Sequence, residues 1–438
     1  MQILNSRRHF LKTSAAVAAA TTLPQWFLDE SIHAATKPLG PNDRPGVALI
    51  GCGGRGRGVA REAAALGQML AVCDVDETNL AQATKTWPDA KPYQDFRKLL
   101  ERDDIHLIVN GTPDHWHTLV NLAALKAGKD IYSEKPLTLT IDEGKRLVKA
   151  VGESKRILQT GSQQRSDKNF RLACELVRNG RLGKLKHINV WLPHGRREGP
   201  FEKAPVPAGF NWDMWQGPTP AAEYVKEKTH VTFRYFYEYS GGTMTDWGAH
   251  HNDIALWGAG FDRSGPARVE GKSLVAMIPG GFSAASEYEV THTYPNGVTQ
   301  LIRSTRGNDW KGSVLEKALQ QHGVRFEGED GWIFVTRGRI EASHPDLLTT
   351  PLPANATRLY ASENHMQNFF SCVRSRQQPV CDVESGHRSA TACHLGVIAL
   401  RLGRPLNWNP VTEEFTDDKE ANGWLAREMR PAWSYSMV

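Results

Sequence analysis

The chain predicts an α/β protein of two domains: a doubly wound parallel sheet, then an α+β domain on a large, mostly antiparallel open sheet. Three observations carry this. From Pro45 onward, short apolar runs alternate with helical periodicity, as a parallel sheet with crossover helices requires. A glycine-rich turn, Gly51 to Gly56, joins the first run to the first helix. After Gly161 the pattern shifts to longer alternating segments and tight turns such as Pro295-Asn296-Gly297.

Taken in order, Gly46 to Ile50 reads as a buried strand and Val59 to Ala65 as a helix. Met69 to Cys73 is the second strand, followed by a helix over Glu77 to Thr86. Ile105 to Asn110 and Asp130 to Ser133 are further strands, with helices at His117 to Ala127 and Ile141 to Ser154. This first domain spans 44–162. In the second, 163–438, a helix at Asp167 to Arg178 precedes strands at Leu185 to Trp191, Arg268 to Met277, Ser286 to Tyr294 and Val298 to Arg303. A long connection, Pro193 to Tyr239, is rich in Pro and Gly. Its Trp212, Trp215, Phe233, Tyr235 and Tyr237 argue for an ordered, functional loop. Helices at Ser362 to Arg376 and Ser385 to Leu402 are expected to pack back on the first domain.

With 40% hydrophobic and 23% charged residues in 438, the composition is that of a globular protein. The +5 net charge is dispersed, and no basic run points to nucleic acid. Six scattered cysteines without a CxxC do not make a disulfide scaffold. Cys52 and Cys73 read as small buried groups at strand ends, and Cys372 with Cys381 is the one bridge considered; free thiols are expected.

Ser6-Arg7-Arg8-His9-Phe10-Leu11-Lys12 has the form of a twin-arginine leader, followed by the weakly apolar Ala15 to Ala20 and small residues at Ala34 and Ala35 where a peptidase can cut. The apolar stretch falls short of the ~18 residues that span a bilayer. Residues 1–35 are therefore read as a signal peptide outside the fold, with the translocase as partner and the periplasm as destination. This route carries folded proteins, so a cofactor loaded in the cytoplasm must be tightly held.

Gly51-Cys52-Gly53-Gly54-Arg55-Gly56 is G-x-G-x-x-G between a strand and a helix, the fingerprint of a dinucleotide-binding (Rossmann) domain. Its glycines allow the backbone to approach a pyrophosphate at the helix N-terminus. Asp74, after the second strand, stands where a carboxylate bonds the adenosine ribose, which favours NAD, with NADP as the alternative. Arg55 reads as a pyrophosphate contact or a solvated charge. Thr112-Pro113-Asp114-His115-Trp116-His117 and Glu134-Lys135-Pro136 begin at carboxyl ends of strands, where ligands bind in open α/β sheets. Burial and a neighbouring cation can bring a lysine there into a useful pKa range beside a substrate hydroxyl. Helical spacing sets Asp246, His250 and Asp253 on one face, and a histidine held by a carboxylate can serve as a general base. No metal is invoked, because a nicotinamide site oxidises alcohols without one.

The order GCGGRG, CDVD, TPDHWH, AGKDIYSEKPLT, GGTMTDWGAHHND resembles the glucose-fructose oxidoreductase and inositol 2-dehydrogenase (Gfo/Idh/MocA) family over essentially the whole mature chain. The resemblance implies a Rossmann domain followed by an α/β domain whose open sheet floors the substrate site and often forms an oligomer interface. A homo-oligomer is expected on that ground. It also implies Lys135 as the catalytic lysine, Asp246 as the acid, His250 as the acid/base and His117 near the nicotinamide. Arg165, Trp212, His251 and Asp253 are assigned to the substrate. Two features depart from the family pattern: His251 doubles the histidine, and the loop around Asn211 to Pro218 is unusually long.

The expected function is that of an exported NAD(P)-dependent oxidoreductase acting on a hydroxyl of a sugar, polyol or glycoside. Trp116, Trp191, Trp212 and Trp247 are its candidates for stacking on sugar faces. Outside the cytoplasm no nicotinamide pool recycles it, so the reaction should be redox-neutral overall. One alternative is an NAD-dependent glycoside hydrolase or epimerase working through a transient keto-sugar. A non-catalytic nucleotide- or sugar-binding protein is the alternative of another class.

Overall fold

A computed structural model describes residues 23–30, 44–304 and 322–437. The twin-arginine motif and Ala34 and Ala35 lie outside the described residues.

The first sheet contains β1 (Gly46–Ile50), β2 (Gln68–Cys73), β3 (Lys91–Tyr93), β4 (Leu107–Asn110), β5 (Asp130–Ser133) and β6 (Leu158–Thr160), in the order β3-β2-β1-β4-β5-β6 and all parallel. β1, β4 and β5 are buried at every position because helices cover both faces, so they read as continuous apolar runs. The helices Glu77–Thr86 and Ile141–Ser154 match the sequence reading; the first helix starts earlier, at Gly54, inside the glycine turn. The short β3 and β6 and the helix Phe96–Leu100 were not foreseen, since three to five residues hold too little periodicity.

The second sheet has nine strands. These are β7 (Leu185–Leu192), β8 (Arg268–Ser273), β9 (Tyr288–Thr293), β10 (Thr299–Ser304), β11 (Gly323–Gly328), β12 (Gly331–Thr336), β13 (Arg339–Ala342), β14 (Leu406–Asn409) and β15 (Glu414–Phe415). Their order is β13-β12-β11-β7-β10-β9-β8-β14-β15, antiparallel throughout except for β7 beside β10. β9 and β10 alternate buried and half-buried residues, the mark of a sheet with one covered face. The helices Lys168–Arg178, Gly248–Ala259 and Val383–Leu402 supply that cover, through a shared core with Val190, Val290, Ile302, Ile254 and Leu395.

Both C-terminal helices return toward the first domain. His365–Ser375 inserts Met366, Phe369 and Phe370 among Val47, Leu49 and Val59, and Val383–Leu402 packs along Ile141–Ser154. The loop of 193–239 is ordered by a cluster of Phe210, Trp212, Trp215, Tyr224, Phe233, Phe236 and Tyr239. It is fastened to the end of β2, where Glu77 N donates to Gly209 O (2.9 Å) and Asn211 N to Val75 O (3.0 Å).

One expectation is corrected. Within the segment read as leader, Gln25–Glu30 forms a helix whose Phe27 is fully buried in the second domain's core. All six cysteines are buried and unpaired, including Cys372 and Cys381. No helix among the described residues is long and apolar enough to cross a membrane.

Candidate active site

The glycine turn forms a cradle. Gly51 adopts a positive φ of 89°, and a Cβ there would fall 2.5 Å from Thr112 N; at Gly56 it would fall 1.9 Å from Gly51 O. Gly53 and Gly54 differ, having nothing within 4 Å of a Cβ, so they leave space open at the N-terminus of the helix Gly54–Leu66. Unpaired backbone N–H groups and the helix dipole make that space suited to a pyrophosphate. Beside it, Asp74 Oδ2 accepts from Cys52 N (2.7 Å) and Oδ1 from Asp76 N (2.9 Å). Burial lifts its carboxyl to about 6 despite these bonds. Each oxygen keeps acceptor capacity for a ribose hydroxyl. These residues fit a dinucleotide.

From the cradle a cavity of about 850 Å³ runs between the domains to the helix ends at Asp246 and His250. Gly51, Gly53, Gly54, Arg55, Gly56, Asp74, Thr112, Pro113, Glu134, Lys135, Asp246 and His250 all line it. Turns after β4 and β5 bring in Thr112, Pro113, Glu134 and Lys135, and the short helix Thr243–Asp246 delivers Asp246. Arg55 Nε binds Glu134 Oε1 at 2.9 Å, across the mouth of the cradle.

Lys135 Nζ donates to the Asp246 carboxylate and, at 2.9 Å, to Asp246 O. Arg234 Nε lies 3.3 Å from the same carboxylate. Burial by itself would raise the Asp246 carboxyl; the two cations outweigh it and hold it below the ordinary range. His250 is displaced the other way. Burial, then Lys135 and Arg337, push its pKa well below that of an ordinary histidine, so it is neutral. Its Nδ1 has no hydrogen-bond partner among the described residues. The expectation that Asp246 orients or charges His250 is therefore corrected: Lys135 and Arg234 claim the carboxylate.

Five other expected contacts do not reach the cavity. His117 braces its wall, with Nδ1 2.7 Å from Pro136 O and Nε2 2.9 Å from Thr112 O, tying the two strand-end turns together. Arg165 and Asp253 form a buried bidentate pair at 2.7 and 2.8 Å, because a carboxylate with no exposed surface takes an internal cation in place of solvent. His251 Nε2 meets His322 Nδ1 at 3.0 Å; one residue turns a helix by about 100°, which separates it from His250. Trp212 donates to Ala222 O at 2.8 Å and stacks behind Trp215, whose ring lines the cavity instead. Of the other candidate tryptophans, Trp116 and Trp247 line it and Trp191 does not.

Arg234, Arg337, Trp215 and Phe233 also line the cavity; none is assigned to the site from sequence, although Trp215 and Phe233 are read as part of an ordered, functional loop. The aromatic density of 193–239 pointed to the loop carrying three of them. Arg337 sits in the turn between β12 and β13 with its guanidinium 5.0 Å over Trp247, and no local pattern marks it.

A parallel dinucleotide-binding sheet facing a mostly antiparallel open sheet, with lysine, carboxylate and histidine between them, is the framework of a two-domain NAD-binding protein. The chain belongs to the Gfo/Idh/MocA oxidoreductase family: the family's NAD-binding Rossmann fold matches 46–162 and its C-terminal alpha/beta domain 190–435. A twin-arginine translocation signal sequence matches 5–24. Among similar proteins, a glycosyl hydrolase family 109 protein of Shewanella pealeana is 29% identical over 203 residues, 42% of this chain and 44% of that one. The myo-inositol 2-dehydrogenase of Thermotoga maritima is 28% identical over 341 residues, 76% of this chain and 86% of that one. The WlbA dehydrogenase of Bordetella pertussis, solved with NADH and UDP-GlcNAcA, has the same fold with a TM-score of 0.63 at 18% identity, covering 84% of this chain and 99% of that one.

Proposed function

We propose that this protein is an exported oxidoreductase that acts on a hydroxyl of a sugar, polyol or glycoside and retains its NAD through a redox-neutral cycle. The observation that carries the reading is the Lys135, Asp246 and Arg234 cluster beside a neutral His250 at the end of the cavity. Bound NAD supplies the hydride acceptor. Neutral His250 accepts the hydroxyl proton, and the Lys135 ammonium stabilises the negative charge left on the oxygen. Asp246 and Arg234 hold that ammonium in place. In the return half-reaction His250 gives the proton back. The strapped loop of 193–239 supports retention, since Trp215, Phe233 and Arg234 wall the cavity while Gly209 and Asn211 anchor the loop beside Asp74.

Similarity to a glycosyl hydrolase family 109 protein favours a second reading, cleavage of a glycoside after transient oxidation. The exported protein, purified without added nucleotide, is incubated with single sugars, sugar pairs and aryl glycosides. Paired oxidation and reduction supports the first reading, and release of aglycone supports the second. Protein that carries no NAD and binds none when it is added removes both in favour of a non-catalytic binding protein.

A further inference from the structure

The helix Gln25–Glu30 stands apart from the site, within a stretch whose sequence reads as disposable leader. Phe27 has no exposed surface and belongs to the same core cluster as Phe170, Ala173 and Leu176. Leu23 and Trp26 pack against that cluster, and Trp26 meets Phe27 edge-on at 5.8 Å. On its other side the Arg171 guanidinium lies 4.3 Å over the Phe27 ring and is itself fixed to Glu175 at 3.0 Å. A ring sandwiched between a core and a salt-bridged guanidinium is built into the domain. Cutting after Ala34 or Ala35 would release it and expose the apolar floor beneath.

We infer that processing occurs upstream, between Ala20 and Thr21, and that residues 23–30 stay in the mature protein as a plug on the second domain. Ala18-Ala19-Ala20 places small residues at both positions that a leader peptidase reads, at the end of the weakly apolar stretch. The peptidase hydrolyses the Ala20–Thr21 bond: water supplies the second oxygen of the Ala20 carboxylate, and Thr21 becomes the new ammonium terminus. The cut leaves the described contacts intact, because Leu23 is the first described residue and already packs on the core. The twin-arginine signal match, ending at residue 24, overlaps this site and stops short of the helix.

Intact mass and terminal sequencing of the full chain, expressed with its own leader and recovered after export, decide the matter. A mature chain beginning at Thr21 is expected. A terminus at Ala35 or Thr36, or full-length precursor as the exported form, overturns the proposal. Phe27→Ala tests the docking separately and is expected to lower the thermal midpoint by roughly 5 °C. An unchanged midpoint would show that the helix contributes nothing. If that variant does not accumulate, the terminus of the unmodified protein still decides.

Discussion

The Lys135 ammonium of the first domain is held by the Asp246 carboxylate of the second, and both residues line the cavity. Both residues are half-buried. The side chain of Lys135 is 11% exposed and that of Asp246 21%, so the pair works in a medium where charge is strongly felt. Replacing Lys135 by Ala should leave NAD bound while turnover falls by about 10²- to 10⁴-fold. Nucleotide content and single-turnover absorbance check this; wild-type turnover would remove Lys135 from the chemistry.

Arg234 shares Asp246 with Lys135 and is a positioning residue. Arg234→Met should lower kcat by about 10²-fold with a smaller change in KM, because a misplaced ammonium damages the transition state more than the ground state. A raised KM with kcat unchanged would mark Arg234 as a simple binding contact.

Asp74 makes NAD affinity pH-dependent. Its carboxyl, raised to about 6 in the protein without nucleotide, must ionise to accept two ribose hydroxyls well. Affinity should therefore weaken as pH falls through 6, by at most about tenfold per pH unit, and Asp74→Asn should flatten the dependence. The linkage to stability has the opposite sense. The unfolded aspartate ionises first, so the stability contributed by protonated Asp74 is lost as pH rises from the ordinary aspartate value toward 6. Fluorescence titration of nucleotide-free protein measures the first effect and thermal melts measure the second.

His250 predicts a flat acid side. Because its folded pKa is depressed, the neutral base is lost only when pH falls well below the ordinary histidine range. kcat/KM should show no histidine limb between about pH 6 and about pH 8. A limb near the ordinary value that disappears in His250→Gln would show that substrate or cofactor restores its basicity.

Arg7 and Arg8 are the arginine pair within the matched twin-arginine signal sequence. Replacing both by Lys should leave precursor in the cytoplasm, read by fractionation, and undiminished secretion would identify another route.

The cradle and its cofactor were legible in the sequence because the required groups lie within one strand–turn–helix unit and the strand that follows it. Gly51 and Gly56 act through backbone geometry, and Asp74 through a carboxylate that the Cys52 and Asp76 N–H groups fix. Lys135 was legible for a related reason, since the carboxyl end of a parallel strand opens into a cleft whatever its side chains are. Partner choice was not legible. Whether Asp246 binds a histidine or a lysine depends on which surfaces meet across the two domains, and whether Asp253 faces substrate or Arg165 depends on how distant segments of the second domain pack.

The sequence by itself determined the order of the two sheets, the dinucleotide fingerprint and the leader, all of which depend on short-range pattern. Only the tertiary structure decided that His250 and not His251 borders the cavity, that Arg234 and Arg337 enter it, and that Phe27 belongs to the body of the protein. The physical reason is the same in each case. Burial and charge pairing are settled by contacts between residues far apart in the chain, and no local periodicity encodes which of two adjacent side chains those contacts will cover.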